Sequence, residues 1–128
     1  MKRIIPTAIV TVLLSSFIIL ASIDEVVNAL KAGNASQMAR YFDTNVEISM
    51  PDKSNSFSKT QAELVLKDFF TNNQVKGFTI IHKGENAGSQ YCIGTLLTKN
   101  GSFRTTVFMK QKGTTQVLQE IRFENQNK

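Results

Sequence analysis

The hydrophobic pattern changes character several times along the chain. From Ile4 to Ala21 the residues are apolar except for Pro6, Thr7, Thr11, Ser15 and Ser16. The pattern then becomes amphipathic: in SIDEVVNALKAGN, residues Ile23, Val26, Val27 and Leu30 fall on one helical stripe. Ser22 with Glu25 forms a capping box at its start, and Gly33-Asn34 supplies the stop. ASQMARYFD predicts a second, short helix ending at Asp43, with Met38, Ala39 and Phe42 on its apolar side and Tyr41 beside them. NVEISM alternates Val46, Ile48 and Met50 with polar residues, the period of a half-buried strand. PDKSNSFS reads as a polar loop with a lone Phe57. SKTQAELVLKDFFTNN predicts a longer third helix, with stripe Ala62, Val65, Leu66, Phe69 and Phe70, two overlapping capping boxes (Ser58 with Gln61, Thr60 with Glu63), and Asn72-Asn73 as its end.

Beyond Val75 there is no helical period. Three turn signals divide the remainder into four strands in consecutive hairpins, roughly 76–85, 89–99, 102–111 and 115–124. The order helix, helix, strand, helix and four strands predicts an α+β fold with helices on one face of a twisted antiparallel sheet. Read as a three-residue loop, Asn86-Ala87-Gly88 places His82 directly opposite Cys92. A loop one residue shorter or longer sends the two side chains to opposite faces. Asn100-Gly101 as a two-residue loop pairs Cys92 with Met109, Gly94 with Val107 and Thr98 with Phe103. One face then carries Phe78, Ile80, His82, Cys92, Gly94, Leu96, Phe103, Thr105, Val107 and Met109, and is expected to be the core face. The other collects Ile81, Tyr91, Ile93, Leu97, Phe108 and Leu118, ringed by Lys83, Arg104, Lys110 and Arg122. A contiguous apolar patch with a charged rim is expected to be an association surface, most economically in a homodimer.

His82 and Cys92 are the chain's single histidine and single cysteine, and their predicted proximity raises cysteine catalysis. A nucleophilic cysteine needs thiolate character, an oriented base and an oxyanion hole. Mid-strand N–H groups are committed to the ladder, and no acid is placed by sequence to orient His82. The bland reading, a small hydrophobe beside a hydrogen-bonded histidine, is therefore preferred. One His and one Cys fall short of a zinc ligand set, and Gly84, Gly88 and Gly94 sit in a hairpin, not before a helix. Neither metal nor cofactor is expected.

Two basic residues ahead of the apolar run read as a secretory signal over residues 1–21, followed by one domain over 22–128. Ala21 suits a cleavage site and Ile19 does not, so an uncleaved anchor stays open; about 18 apolar residues is the lower limit for a span. Stable membrane insertion after cleavage is not expected. No cysteine lies near residue 22 to receive a lipid. Net charge is +5, from 15 basic and 10 acidic residues. Removing Lys2 and Arg3 leaves a mild excess, without the clustered footprint of a nucleic-acid binder. A periplasmic or extracellular location is expected, and with one cysteine the exported domain must be held by its core, not by a disulfide.

The segments GNASQMARYFD, SKTQAELVLKDFF, IIHKG and YCIGTLLTKNGSFR resemble the domain of unknown function 4783 family, of the nuclear-transport-factor-2-like superfamily. The resemblance covers nearly all of 22–128. It implies a cone in which a curved sheet wraps the third helix and leaves a pocket, with dimerisation through the outer face. The pocket it implies is lined by His82, Cys92, Thr105 and Gln119 from the sheet, with Tyr41, Leu66, Phe69 and Phe70 from the helices. Enzymes of the superfamily place an acid-base Asp or His with a Tyr or Asp partner there, but no motif carries a catalytic role onto this chain. Three readings follow. The first is a non-enzymatic domain, its cone either filled or holding a small apolar or amphipathic ligand; the second is a small hydrolase or isomerase with His82 as general base; the third is a structural partner module of an envelope protein.

Overall fold

The computed structural model describes residues 22–126. The predicted leader, residues 1–21, and the Ser22 side chain of the predicted capping box lie outside the described residues. Helix α1 (Ser22–Ala32) and helix α2 (Ala35–Ala39) are joined by a tight reversal. Gly33 takes φ of 63°, the left-handed conformation that glycine adopts without strain. Its N–H donates to the Leu30 carbonyl and the Asn34 N–H to the Ala29 carbonyl, closing the helix in a Schellman motif. The Asn34 side chain then accepts from the Gln37 N–H at 3.0 Å and caps α2. One dipeptide thus ends one helix and starts the next.

Strand β1 (Phe42–Met50) follows, then β2 (Lys53–Ser58), helix α3 (Lys59–Asn72), β3 (Val75–Asn86), β4 (Ser89–Thr98), β5 (Gly101–Lys112) and β6 (Thr115–Asn125). The α+β class and the helix placement agree with the sequence pattern, with two differences. Helix α2 stops at Ala39, so Phe42 and Asp43 open β1. The segment read as a polar loop contains β2, which pairs antiparallel with β1 around Pro51-Asp52, with Ser49 opposite Ser54. The two hydroxyls lie 2.9 Å apart, and Ser54 donates to Glu47 at 3.2 Å. Such cross-strand hydroxyl pairs stabilise a strand that has almost no apolar side chain. Of the two boxes at α3, Ser58 is the cap in use, its hydroxyl accepting from the Gln61 N–H.

The six strands form one sheet in the order β2-β1-β6-β5-β4-β3, with β1 parallel to β6 and every other pair antiparallel. Register shifts fall near Lys76, at Ile81, between Phe42 and Glu47, and at Gln119, and bulges of this kind bend and twist a sheet. The core lies between the inner sheet face and the helices. Val26, Leu30, Met38, Leu66, Leu96 and Phe123 are among its fully buried members. At its centre the Phe69 ring stacks on Phe123 at 4.2 Å and meets Phe103 and Phe70 edge-on at 5.3 and 5.7 Å.

Candidate functional site: an apolar groove at the mouth of the sheet

The β3–β4 hairpin decides the fate of the His82–Cys92 pair. Its loop has two residues: Ala87 and Gly88 both take positive φ, 47° and 87°, as a primed hairpin turn requires. Asn86 therefore pairs with Ser89, Lys83 with Cys92 and His82 with Ile93. His82 and Cys92 consequently point to opposite faces, which corrects the predicted juxtaposition. An extra residue at Ile81 then restores the predicted register, so Ile80 faces Gly94 and Phe78 faces Leu96. His82 is exposed on the outer face, its Nε2 2.8 Å from the Tyr91 hydroxyl. Tyr91 can lie across β3 because residue 84 is glycine: a β-carbon there would sit 2.5 Å from the ring. Cys92 is fully buried. Burial raises its thiol pKa, partly offset by the Lys83 charge across the ladder, so it stays protonated at neutral pH and acts as a small hydrophobe.

The eight residues expected to line one pocket are dispersed. Leu66, Phe70, Cys92 and Thr105 are buried in packed core, and the Thr105 hydroxyl donates to the Phe103 carbonyl at 3.2 Å. Tyr41 is half-buried and its hydroxyl donates to the Glu25 carboxylate on α1. That bond, then burial, raises its pKa. Gln119, at the bulge of β6, donates to Asp43 at 3.0 Å. His82 is outside. Phe69 borders the apolar groove described below, and Phe70 a smaller cleft beside the α1–α2 turn.

On the outer face, Ile81 and Leu97 are exposed, 56% and 48%, while Tyr91, Ile93 and Phe108 are half-buried. Leu118 is a correction. It is fully buried and pairs with Met109 and Phe42. The Gln119 bulge reverses the alternation of β6, so Gln116 and Leu118 face inward on one side of it and Ile121 and Phe123 on the other.

Asp43 ties the start of β1 to its neighbours. It accepts from Lys112 at 2.7 Å, Gln119 at 3.0 Å and the Thr44 N–H at 2.7 Å. The Lys112 bond and then the Gln119 bond lower its pKa from 3.8 to about 2. A carboxyl that titrates lower when folded contributes stability that is complete above its unfolded pKa and lost as pH falls through the folded value. Asp43→Asn is expected to cost on the order of 1 kcal/mol at neutral pH, since Lys112 is largely exposed and the pair is screened. In thermal melts the deficit should shrink between about pH 4 and pH 2; an unchanged deficit at pH 2 would refute this account.

A wider opening lies between α3 and the β1–β2 hairpin. It is a groove of about 670 Å3. Its floor is Ile48, Phe69 and Phe103, and its walls include Met50, Phe57 and Val65. One lip carries Leu64, Asp68 and Asn72, successive turns of α3 and all exposed. On the other, Lys53 and Asn55 line the groove beside Phe57, at the alternating positions of β2. Sequence reasoning missed this lip because β2 reads as loop; the one available signal was Phe57, an aromatic side chain in an otherwise polar segment.

Among the described residues, no group of three or more His, Cys, Asp or Glu could hold a metal ion. No helix there is long and apolar enough to cross a membrane.

Helices over one face of a bent six-stranded sheet, with an apolar mouth beside the third helix, define a nuclear-transport-factor-2-like cone. The same fold occurs in an NTF2-like protein of unknown function from Burkholderia xenovorans, at 9% identity and TM-score 0.63, covering 83% of this chain and 82% of that one. The family model "Domain of unknown function (DUF4783)" matches residues 23–124, and the chain belongs to that family. Crystal structures of two DUF4783 family proteins are similar to it. The one from Bacteroides ovatus is 32% identical, TM-score 0.78, covering 81% of this chain and 94% of that one. The one from Bacteroides fragilis is 34% identical, TM-score 0.76, covering 80% and 96%. No curated protein matches the chain.

Proposed function

We propose that this is an exported, non-enzymatic domain that holds a small apolar or amphipathic ligand in the groove between α3 and the β1–β2 hairpin. The carrying observation is the groove itself, about 670 Å3 with Met50, Phe57, Val65, Phe69 and Phe103 around it. That volume lies within the range of small-molecule sites. Leu64 is 59% exposed on its lip, an apolar side chain whose exposure burial against a ligand would relieve. Export rests on the basic and apolar leader. A His82-based hydrolase or isomerase draws no support from the geometry, because His82 is outside and does not line the groove.

A neutral apolar fluorophore such as Nile red is expected to bind saturably at one site per chain. Leu64→Ser and Phe57→Ser should each weaken it by about fivefold or more, the equivalent of losing roughly 1 kcal/mol of apolar contact. Leu64 is exposed and Phe57 is half-buried at the edge of the core, so circular dichroism should show the fold intact. Absence of saturable binding, or binding indifferent to both substitutions, would sink the proposal.

A second reading concerns association. The outer-face set Ile81, Tyr91, Ile93, Leu97 and Phe108 includes two large exposed side chains. Arg122 and Glu120 stand on the next strand, β6, in an ion pair of 2.8 Å. Charges of both signs beside an apolar patch suit a self-complementary two-fold contact. The mature domain is expected to sediment as a dimer at tens of micromolar, and Leu97→Lys should make it monomeric. A monomeric wild type would count against the homodimer and favour the envelope-partner reading.

A further inference from the structure

We infer that the groove selects an apolar molecule bearing a cationic, ammonium-type head; this rests on the groove being a ligand site. The argument begins with its ionisable lining, which consists of Asp52, Lys53 and Asp68. Two carboxylates against one ammonium make the mouth net negative, in a chain whose net charge is +5. Local sign therefore runs against global sign.

Among the described residues neither carboxylate is taken up by a cation of the protein, as three others are. Asp24 is paired with Lys83 at 2.6 Å, Asp43 with Lys112, and Glu120 with Arg122. Among the described residues Asp52 and Asp68 have no such partner within 4.0 Å, although Lys53 shares the lining with both. They stand on opposite lips, Asp68 on α3 and Asp52 in the β1–β2 turn. A molecule whose hydrocarbon part lies on Phe69, Phe103 and Met50 would carry its head up between them. An ammonium there meets two carboxylates whose acceptor capacity no cation on the protein uses. A carboxylate or phosphate head would meet both as repulsion, with Lys53 alone in its favour. Lys53 can swing its ammonium into solvent on its flexible stem, whereas the short aspartate side chains cannot leave the mouth.

Octylammonium, octanol and octanoate share one chain and differ in head charge, and each is soluble as a monomer at the concentrations needed. With the wild-type protein at neutral pH and low salt, titration by calorimetry is expected to rank octylammonium first. Its advantage over octanol should be about three- to tenfold, as two partly screened ion pairs give. Octanoate should be weakest. The advantage should narrow at high salt, because exposed charges are screened. Asp52→Asn with Asp68→Asn should bring octylammonium and octanol to equal affinity, and a preference that survives both substitutions would overturn the proposal. Equal binding of all three, or octanoate first, would overturn the cationic preference and leave the groove reading standing. No saturable binding of any of the three would overturn both.

Discussion

Replacing Phe69 with alanine is expected to lower the unfolding free energy by about 3–5 kcal/mol, the usual cost of truncating a core phenylalanine. The ring is 8% exposed and touches three other phenylalanines. It stacks on Phe123 at 4.2 Å with 23° between the planes, and Phe103 and Phe70 approach edge-on. Such aromatic pairs add about 0.5–1.5 kcal/mol each beyond the area they bury. One part of the ring faces the groove, so water can enter the void, which favours the lower half of the range. The shift in melting temperature should be on the order of 10–20 °C. Denaturant unfolding should show a lower midpoint with an unchanged slope, since the native surface hardly changes. Phe69→Leu, which keeps most of the volume, should cost less than half as much. A loss below about 1 kcal/mol for alanine would mean that the ring does not hold α3 to the sheet.

Phe69 also shows what was legible in the sequence and what was not. Its place on the α3 stripe follows from helical spacing, and α1 and the inner residues of β4 and β5 follow from period alone. The β4–β5 hairpin has its loop at Lys99-Asn100, so Cys92 pairs with Val107 and not with Met109. That slip moves the pairing by two residues and leaves every side chain on its predicted face. The β3–β4 slip is by one and reverses His82. The difference turns on Ala87, which takes a left-handed φ of 47° in a turn where glycine, asparagine or aspartate would have signalled it.

The bulges at Ile81 and Gln119 have no residue signature, yet they place Ile81 and Leu118. Leu118 is buried because of the second. The groove was hidden for another reason. Half of it belongs to β2, whose residues Ser54, Asn55 and Ser56 are polar and exposed. An edge strand needs little apolar surface, and periodicity measures only apolar surface. The resemblance implied a pocket inside the cone, where Phe69, Phe103 and Phe123 are packed together; the open volume lies at its mouth.

Gly94→Ala is expected to destabilise by about 2–3 kcal/mol, against the usual preference for alanine over glycine within a strand. Gly94 lies on the inner face of β4 between Ile80 and Thr105. A β-carbon there would come within 2.5 Å of the Thr79 carbonyl oxygen and nearer still to the Phe78 ring. Phe78 is 8% exposed and fits against the glycine. The ring could rotate away, but the carbonyl belongs to the β3–β4 ladder and can retreat only by opening it. Gly77→Ala is the matched control, because nothing lies within 4 Å of a β-carbon at that position; it should be neutral or slightly stabilising. The contrast in sign separates steric conflict from backbone propensity, which would move both variants the same way. Cys92, two residues away on the same face and the chain's one cysteine, gives a second readout. Its labelling by a thiol reagent should be very slow in the wild type and clearly faster in Gly94→Ala, where the β3–β4 ladder opens more often. Equal labelling rates together with equal stability would show that the sheet absorbs the methyl group without strain.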